Sequence, residues 1–174
     1  MEVRKVLVIL LIITLNTFGI ESQACKCKTV KSYNELINIS YNSSNLVFLG
    51  ELIELDTFKN EYTFLVLELF KGDKQSDTII YKPQTSCSIY ISEKGKWIIY
   101  GDIISDNHID ISSCGASRSE NKPTCINCPI TQKMVPDPRL SKLEMEQHKS
   151  KVDSLNIKAL ERWHNEIKIL RTKY

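Results

Sequence analysis

The spacing of apolar residues changes period along this chain, and each period predicts an element. Between Lys31 and Ser44, Tyr33, Leu36, Ile37 and Tyr41 recur at helical spacing in a polar stretch, which predicts a short helix. From Leu46 the pattern is that of strands. Leu46 to Leu55 is apolar-rich and interrupted at Gly50, where a bulge or barrel bend is expected. Tyr62 to Phe70 is a second strand. Strict alternation assigns Leu65, Leu67 and Leu69 to one face and Tyr62, Phe64, Val66 and Phe70 to the other, so both faces are expected to be covered. Lys71-Gly72-Asp73 turns the chain. Thr78 to Lys82 is a third strand, ended by Pro83. Lys96 to Ile104 is a fourth, entered through Lys94-Gly95. His108 to Ser113 is a fifth, with Ile109 and Ile111 inward and His108, Asp110 and Ser112 outward. Short strands with turn signals between them, and almost no helix among them, predict a small barrel.

The flanks differ from this middle. Arg4 and Lys5 precede an apolar run from Val6 to Leu15, and Ser22-Gln23-Ala24 offers small residues for cleavage. Residues 1–24 therefore read as a signal peptide, too short for a comfortable membrane span. Two other readings are an uncleaved anchor and a lipoprotein signal with Cys25 acylated. In the second, Ser22 stands where such signals usually carry leucine, and membrane attachment is expected only if Cys25 is lipidated. Residues 119–138 read as an irregular connector, because four of the five prolines fall between Glu120 and Pro138. Residues 139–174 read as a helical tail. Leu160, Trp163, Ile167 and Leu170 form one stripe behind a Ser154 cap, and the stripe is expected to pack on the barrel. The barrel is nevertheless expected to fold without the tail.

Removing residues 1–24 leaves 150, enough for one domain with a core. A net charge of +2 does not suggest nucleic acid, although barrels of this kind can bind it. All six cysteines follow the leader, and an even count in an exported chain favours disulfides over metal ligands. Cys125-Ile126-Asn127-Cys128 lies beside Pro123 and Pro129 rather than at a helix start after a strand. It reads as a local Cys125–Cys128 disulfide before a redox motif or half a metal site. His108, His148 and His164 have no metal-ligand spacing and read as surface residues. No nucleophile motif is found, and neither catalysis nor a cofactor is expected. Asn38-Ile39-Ser40 and Asn42-Ser43-Ser44 are glycosylation sequons.

The cysteines and strands follow a specific order. Cys25-Lys26-Cys27 opens the expected mature chain. Leu67-Glu68-Leu69-Phe70-Lys71-Gly72 ends the second strand, and Thr85-Ser86-Cys87 follows the third. Glu93-Lys94-Gly95-Lys96-Trp97-Ile98-Ile99-Tyr100 enters the fourth, and Ser113-Cys114 ends the fifth. The set resembles the netrin-like module and, within it, the amino-terminal domain of the tissue inhibitors of metalloproteinases. The resemblance covers residues 25–118. It implies a mainly β fold: a five-stranded OB-fold barrel, here with a short amino-terminal helix and a carboxy-terminal helical tail. It also implies disulfides Cys25–Cys87 and Cys27–Cys114, which would clamp a terminus that otherwise frays.

In that family the clamped terminus is the inhibitor. The amine and carbonyl of the first cysteine ligate the zinc of the target protease at the position its nucleophilic water holds. Carried onto this chain, Cys25 is the ligand to the target's zinc, and Lys26 enters the pocket beside it. Cys27 and Lys28 continue the edge, and Thr85, Ser86, Cys87 and Ser88 form the neighbouring ridge. An α-amine has an ordinary pKa of about 7.7–8.0, which leaves a useful neutral fraction near pH 7. The expected partner is a zinc metalloproteinase or another extracytoplasmic protein, not nucleic acid. The chain departs from the family at Lys26, where the animal inhibitors carry a small residue. It also lacks counterparts of a third barrel disulfide and of the family's six-cysteine second domain. Two other functions are therefore carried alongside: a non-inhibitory netrin-like binding or structural module, and a thiol–disulfide protein using Cys125 and Cys128.

Overall fold

The computed structural model describes residues 25–73, 76–124 and 141–173. The expected leader and the Cys125–Cys128 pair lie outside these residues. Helix α1 spans Tyr33–Ser43. It starts because Ser32 Oγ accepts from Glu35 N at 3.2 Å while Glu35 Oε2 accepts from Lys31 N at 2.8 Å, so each end of the first turn is capped. Its apolar face buries Leu36 and Ile37. The strands are β1 (Leu46–Asp56), β2 (Glu61–Lys71), β3 (Thr78–Tyr81), β4 (Gly95–Ser105), β5 (His108–Asp110) and the two-residue β6 (Arg118–Ser119). Helix α2 spans Lys142–Lys173. Among the described residues no helix is long and apolar enough to cross a membrane.

The strand order is β1-β2-β3-β5-β4-β6, and β1 pairs with β4 as well as β2. That second pairing runs from Leu46↔Gly101 to Leu52↔Gly95 and closes the sheet on itself. Only β3 and β5 run parallel. The result is a closed five-stranded barrel of OB type, with β6 added along the outer edge of β4. Closure leaves few strand edges to pair with another chain. Turn chemistry fixes the corners. Asn60 and Asn107 take left-handed backbone (φ 54 and 58) in the β1–β2 and β4–β5 turns, a conformation that asparagine tolerates well. Gly72 has φ 91, and a Cβ there would lie 2.7 Å from the Asn45 carbonyl oxygen.

Two apolar clusters divide the interior. Inside the barrel, Phe48, Leu52, Tyr62, Phe64, Tyr81, Trp97, Ile99 and Ile109 pack together. Outside it, Val47, Leu49, Ile98 and Tyr100 from β1 and β4 meet Leu36 and Ile37 of α1 and Trp163, Ile167 and Leu170 of α2. Strands β1 and β4 are therefore apolar on both faces because each face is covered.

Strand β2 departs from the strict alternation of the sequence. Pairing with β1 skips Leu67 and Phe70 on β2 and Ile53 on β1. Each skipped residue is a bulge, and each bulge reverses which face the following residues present. Leu69 consequently joins the barrel interior, Phe70 joins the helix-facing cluster, and Leu67 is 42% exposed. The other expected strands agree in place, with ends shifted by a residue or two. The exception is the fifth, which ends at Asp110, with Ser112 continuing only as an isolated bridge to Ser88.

The tail also differs from expectation. Its cap is Ser141, whose Oγ donates to Glu144 Oε2 at 2.6 Å while the Ser141 N–H donates to the same oxygen at 2.8 Å. Ser154 lies inside the helix. The stripe is not an appendage to a finished barrel. Trp163, Ile167 and Leu170 are at most 6% exposed and form one wall of the outer core. Burial of this stripe weighs against the expectation that the barrel folds without the tail, and truncation at Glu120 is the test.

Candidate functional site

Residues 25–30 carry no regular secondary structure and lead into α1. Two disulfides fix them. Cys25 is bonded to Cys87 and Cys27 to Cys114, each with Cα atoms 5.1 Å apart. The bridges span 62 and 87 residues of sequence. Loops of that length are worth about 4 kcal/mol each on the chain-entropy account. Side chains alternate along the segment: Cys25 and Cys27 are half-buried, Lys26 and Lys28 exposed. This is the period of extended chain, cysteines toward the barrel and ammonium groups toward solvent.

The receiving surface is itself cross-linked. The Ser113 N–H donates to the Cys87 carbonyl at 2.7 Å and the Ile89 N–H to the Ile111 carbonyl at 2.8 Å, so the segments bearing Cys87 and Cys114 lie side by side. Thr85 to Ser88 form a turn, with Ser88 N donating to the Thr85 carbonyl at 3.1 Å. Ser88 Oγ accepts from the N–H groups of Gln84 and Thr85, both at 3.1 Å, and donates to Asp110 Oδ1 at 2.8 Å. Cys87 N donates to Thr85 Oγ1 at 3.1 Å. The ridge is thus wired to β5 through Ser88 and Asp110, while Thr85 and Ser86 stay exposed. All eight residues expected at the edge, Cys25 to Lys28 and Thr85 to Ser88, lie on segments tied together by the Cys25–Cys87 bridge.

The sulfurs of Cys25, Cys27 and Cys114 lie within 4.8 Å of one another, with Cys25 Sγ 3.5 Å from Cys114 Sγ. All three are in disulfides and offer no thiolate, so the cluster is two adjacent bridges and not a metal centre in this redox state. Among the described residues this is the only group of three or more His, Cys, Asp or Glu side chains close enough to share an ion. The histidines stay apart: His108 Nδ1 lies 2.9 Å from the Asp106 carbonyl oxygen, and His164 is 3.8 Å from Glu120.

A second constellation was not anticipated. Glu166 of α2 is fully buried and forms an ion pair with Arg118 at 2.6 Å. Its Oε2 also accepts from Tyr33 Oη of α1, and its Oε1 from Tyr100 Oη of β4, both at 2.6 Å. Arg118 uses its remaining donors on the Ala116 carbonyl at 2.8 Å and the Pro123 carbonyl at 3.0 Å, and its guanidinium stacks 4.9 Å from the Tyr33 ring. Burial pushes the Glu166 carboxyl up from its ordinary range, and Arg118 and Tyr100 pull it back down. Burial lowers Arg118, with Glu166 opposing. Burial, then the Glu166 charge, holds the Tyr100 hydroxyl well above its ordinary value. The signal in the sequence is Glu166 itself, a carboxylate inside the apolar stripe between Trp163 and Ile167. An acid at that position needs a cation and donors from elsewhere in the chain.

No protein-family model and no curated protein matches the chain.

Proposed function

We propose that this is an exported, disulfide-bonded barrel that binds another protein through its clamped amino-terminal edge, most concretely as an inhibitor of a zinc metalloproteinase. The observation that carries the reading is the double anchorage of Cys25 and Cys27 on the barrel. If cleavage follows Ala24, the mature chain begins at Cys25. Its α-amine and carbonyl then stand at the end of a segment with little freedom left to lose. A chelating pair held in this way pays less ordering entropy on binding than a frayed terminus would. The amine and carbonyl would replace the water on the protease zinc, and the ridge Thr85–Ser88 would extend the contact. A disulfide to Cys87 and a lipid thioether would compete for the same Cys25 sulfur, so the bridge supports the exported form with an unacylated Cys25 over the lipoprotein.

Lys26 and Lys28, both exposed, favour a partner with acidic groups. An ammonium entering an apolar pocket is costly to desolvate. The target is then a protease whose pocket beside the zinc has an acidic floor, or Lys26 lies along the rim with its ammonium in water. The same two charges suit the second reading, a non-inhibitory module that docks this edge on an acidic protein surface.

The test is titration of mature protein, its Cys25 amine verified free by intact mass, against a panel of zinc metalloproteinases. Inhibition that disappears when the α-amine is carbamylated at neutral pH supports chelation. Absence of inhibition across the panel at micromolar concentration favours the non-inhibitory module.

A further inference from the structure

The disulfide Cys27–Cys114 joins two stretches of chain, and both run straight into the Glu166 network. Tyr33, six residues after Cys27, donates to Glu166 Oε2. Arg118, four residues after Cys114, forms the ion pair with Glu166 and reaches back to the Ala116 carbonyl. Ala116 N in turn donates to Ser40 Oγ of α1 at 3.0 Å, and Val30 and Tyr33 pack against the outer core. One carboxylate of the tail thus stands where the two arms behind the clamped edge converge.

We infer that Glu166 is a positioning residue for the amino-terminal edge: through Tyr33 and Arg118 the tail helix holds the segment behind Cys25–Lys28 in place. The disulfides fix Cys25 and Cys27 at their sulfurs, and the stretch from Cys27 to α1 belongs to no strand of the barrel. Tyr33 Oη–Glu166 is a long-range polar tie on the far side of that span. The charge on Glu166 makes it a strong tie, since hydrogen bonds to ionised acceptors are the tighter class. A hydrogen bond alone does not mark an edge for binding. The consequence for affinity rests on the proposed function, whereas the rigidity of the edge can be read with no partner present.

Two variants separate positioning from general stabilisation. Tyr33→Phe and Tyr100→Phe each delete one 2.6 Å hydrogen bond to Glu166 and keep the ring, but only Tyr33 lies on the arm that leads to Cys27. In the intact oxidised protein, Tyr33→Phe is expected to speed amide exchange at Lys31, Glu35 and Leu36, whose N–H groups are hydrogen-bonded where the arm enters α1, about tenfold, the share of one charged hydrogen bond in local opening. Reduction of Cys27–Cys114 by a thiol reagent should quicken with it. Tyr100→Phe should leave both rates near those of the native protein. Equal effects of the two variants, or a rigid edge in Tyr33→Phe, overturn the inference. Glu166→Gln keeps the volume and removes the charge; an edge as rigid as native in that variant also overturns it. Exchange needs no protease, so loss of the functional reading leaves this result standing. Loss of inhibition with unchanged exchange would count against the positioning role alone.

Discussion

Trp163→Ala measures whether the tail belongs to the fold. Trp163 is 2% exposed and sits in the outer core with Ile98, Tyr100, Ile167 and Leu170. Truncating a buried tryptophan to alanine typically costs about 3–5 kcal/mol, from lost transfer free energy plus the cavity left behind. The surroundings here are two helices and a sheet face joined by the Glu166 network, which limits collapse into the void. The upper half of that range is therefore expected. Whole domains of this size are stable by about 5–15 kcal/mol, so the variant should remain folded but marginal. With a urea slope of about 2 kcal/mol/M, the midpoint should fall by about 2 M. The assay is equilibrium unfolding of the oxidised protein followed by circular dichroism. Ile157→Ala, on the same helix but 61% exposed, is the control and should stay within about 0.5 kcal/mol of native. A Trp163→Ala midpoint indistinguishable from that of Ile157→Ala would refute the claim that α2 completes the core. Truncation at Glu120 extends the logic. It removes Trp163, Ile167 and Leu170 together, worth about 5–9 kcal/mol in burial alone, and the remaining barrel should lose cooperative unfolding.

Other expectations follow from single positions. Gly72→Ala forces a Cβ into a backbone with φ 91 and onto the Asn45 carbonyl, and should cost about 1–3 kcal/mol in the same unfolding assay. Glu144, at the α2 cap, and Glu68, paired with Arg171 at 2.8 Å, both have carboxyl groups held below their ordinary 4.5, by the hydrogen bonds from Ser141 and from Arg171 respectively. Their folded values are depressed, so their contribution is present above that value and lost as pH falls through the folded one. A thermal-melt series should therefore show stability dropping below about pH 4.5, and Glu68→Gln should flatten part of that drop. Lys26→Thr should tighten inhibition of a protease with an apolar pocket beside the zinc and weaken it for one with an acidic floor, read as the ratio of inhibition constants.

Helix α1, strands β1 to β4 and the start of β5 are legible because their signals are local: apolar period, Gly72, the Lys94-Gly95 turn, Pro83. Strand β6 is two residues long and has no period to read. The faces of β2 escaped because bulges at Leu67 and Phe70 are set by pairing with β1, not by β2 itself. The α2 start was written as Ser141-x-x-Glu144, a capping box, but lies close behind the proline-rich connector; Ser154 was the nearer cap to the apolar stripe. Spacing alone could not pair the cysteines. The pairs Cys25–Cys87 and Cys27–Cys114 were implied by the resemblance and are the ones formed. The Glu166 network joins residues 33, 100, 118 and 166, and no local pattern connects four positions so far apart. Only the misfit of a carboxylate in an apolar stripe pointed to it.

If the edge inhibits by chelation, binding depends on the α-amine at Cys25. One alanine added before Cys25 moves the amine off the metal and leaves an amide nitrogen that does not ligate, while both disulfides and the barrel remain. The measurement is the inhibition constant of this Ala-extended protein against a protease that the native protein inhibits, at matched folding by circular dichroism and matched disulfide content by mass. Chelation through this amine predicts weakening of about a hundredfold or more, equivalent to about 3 kcal/mol. An Ala-extended protein that inhibits as tightly as the native one would contradict it.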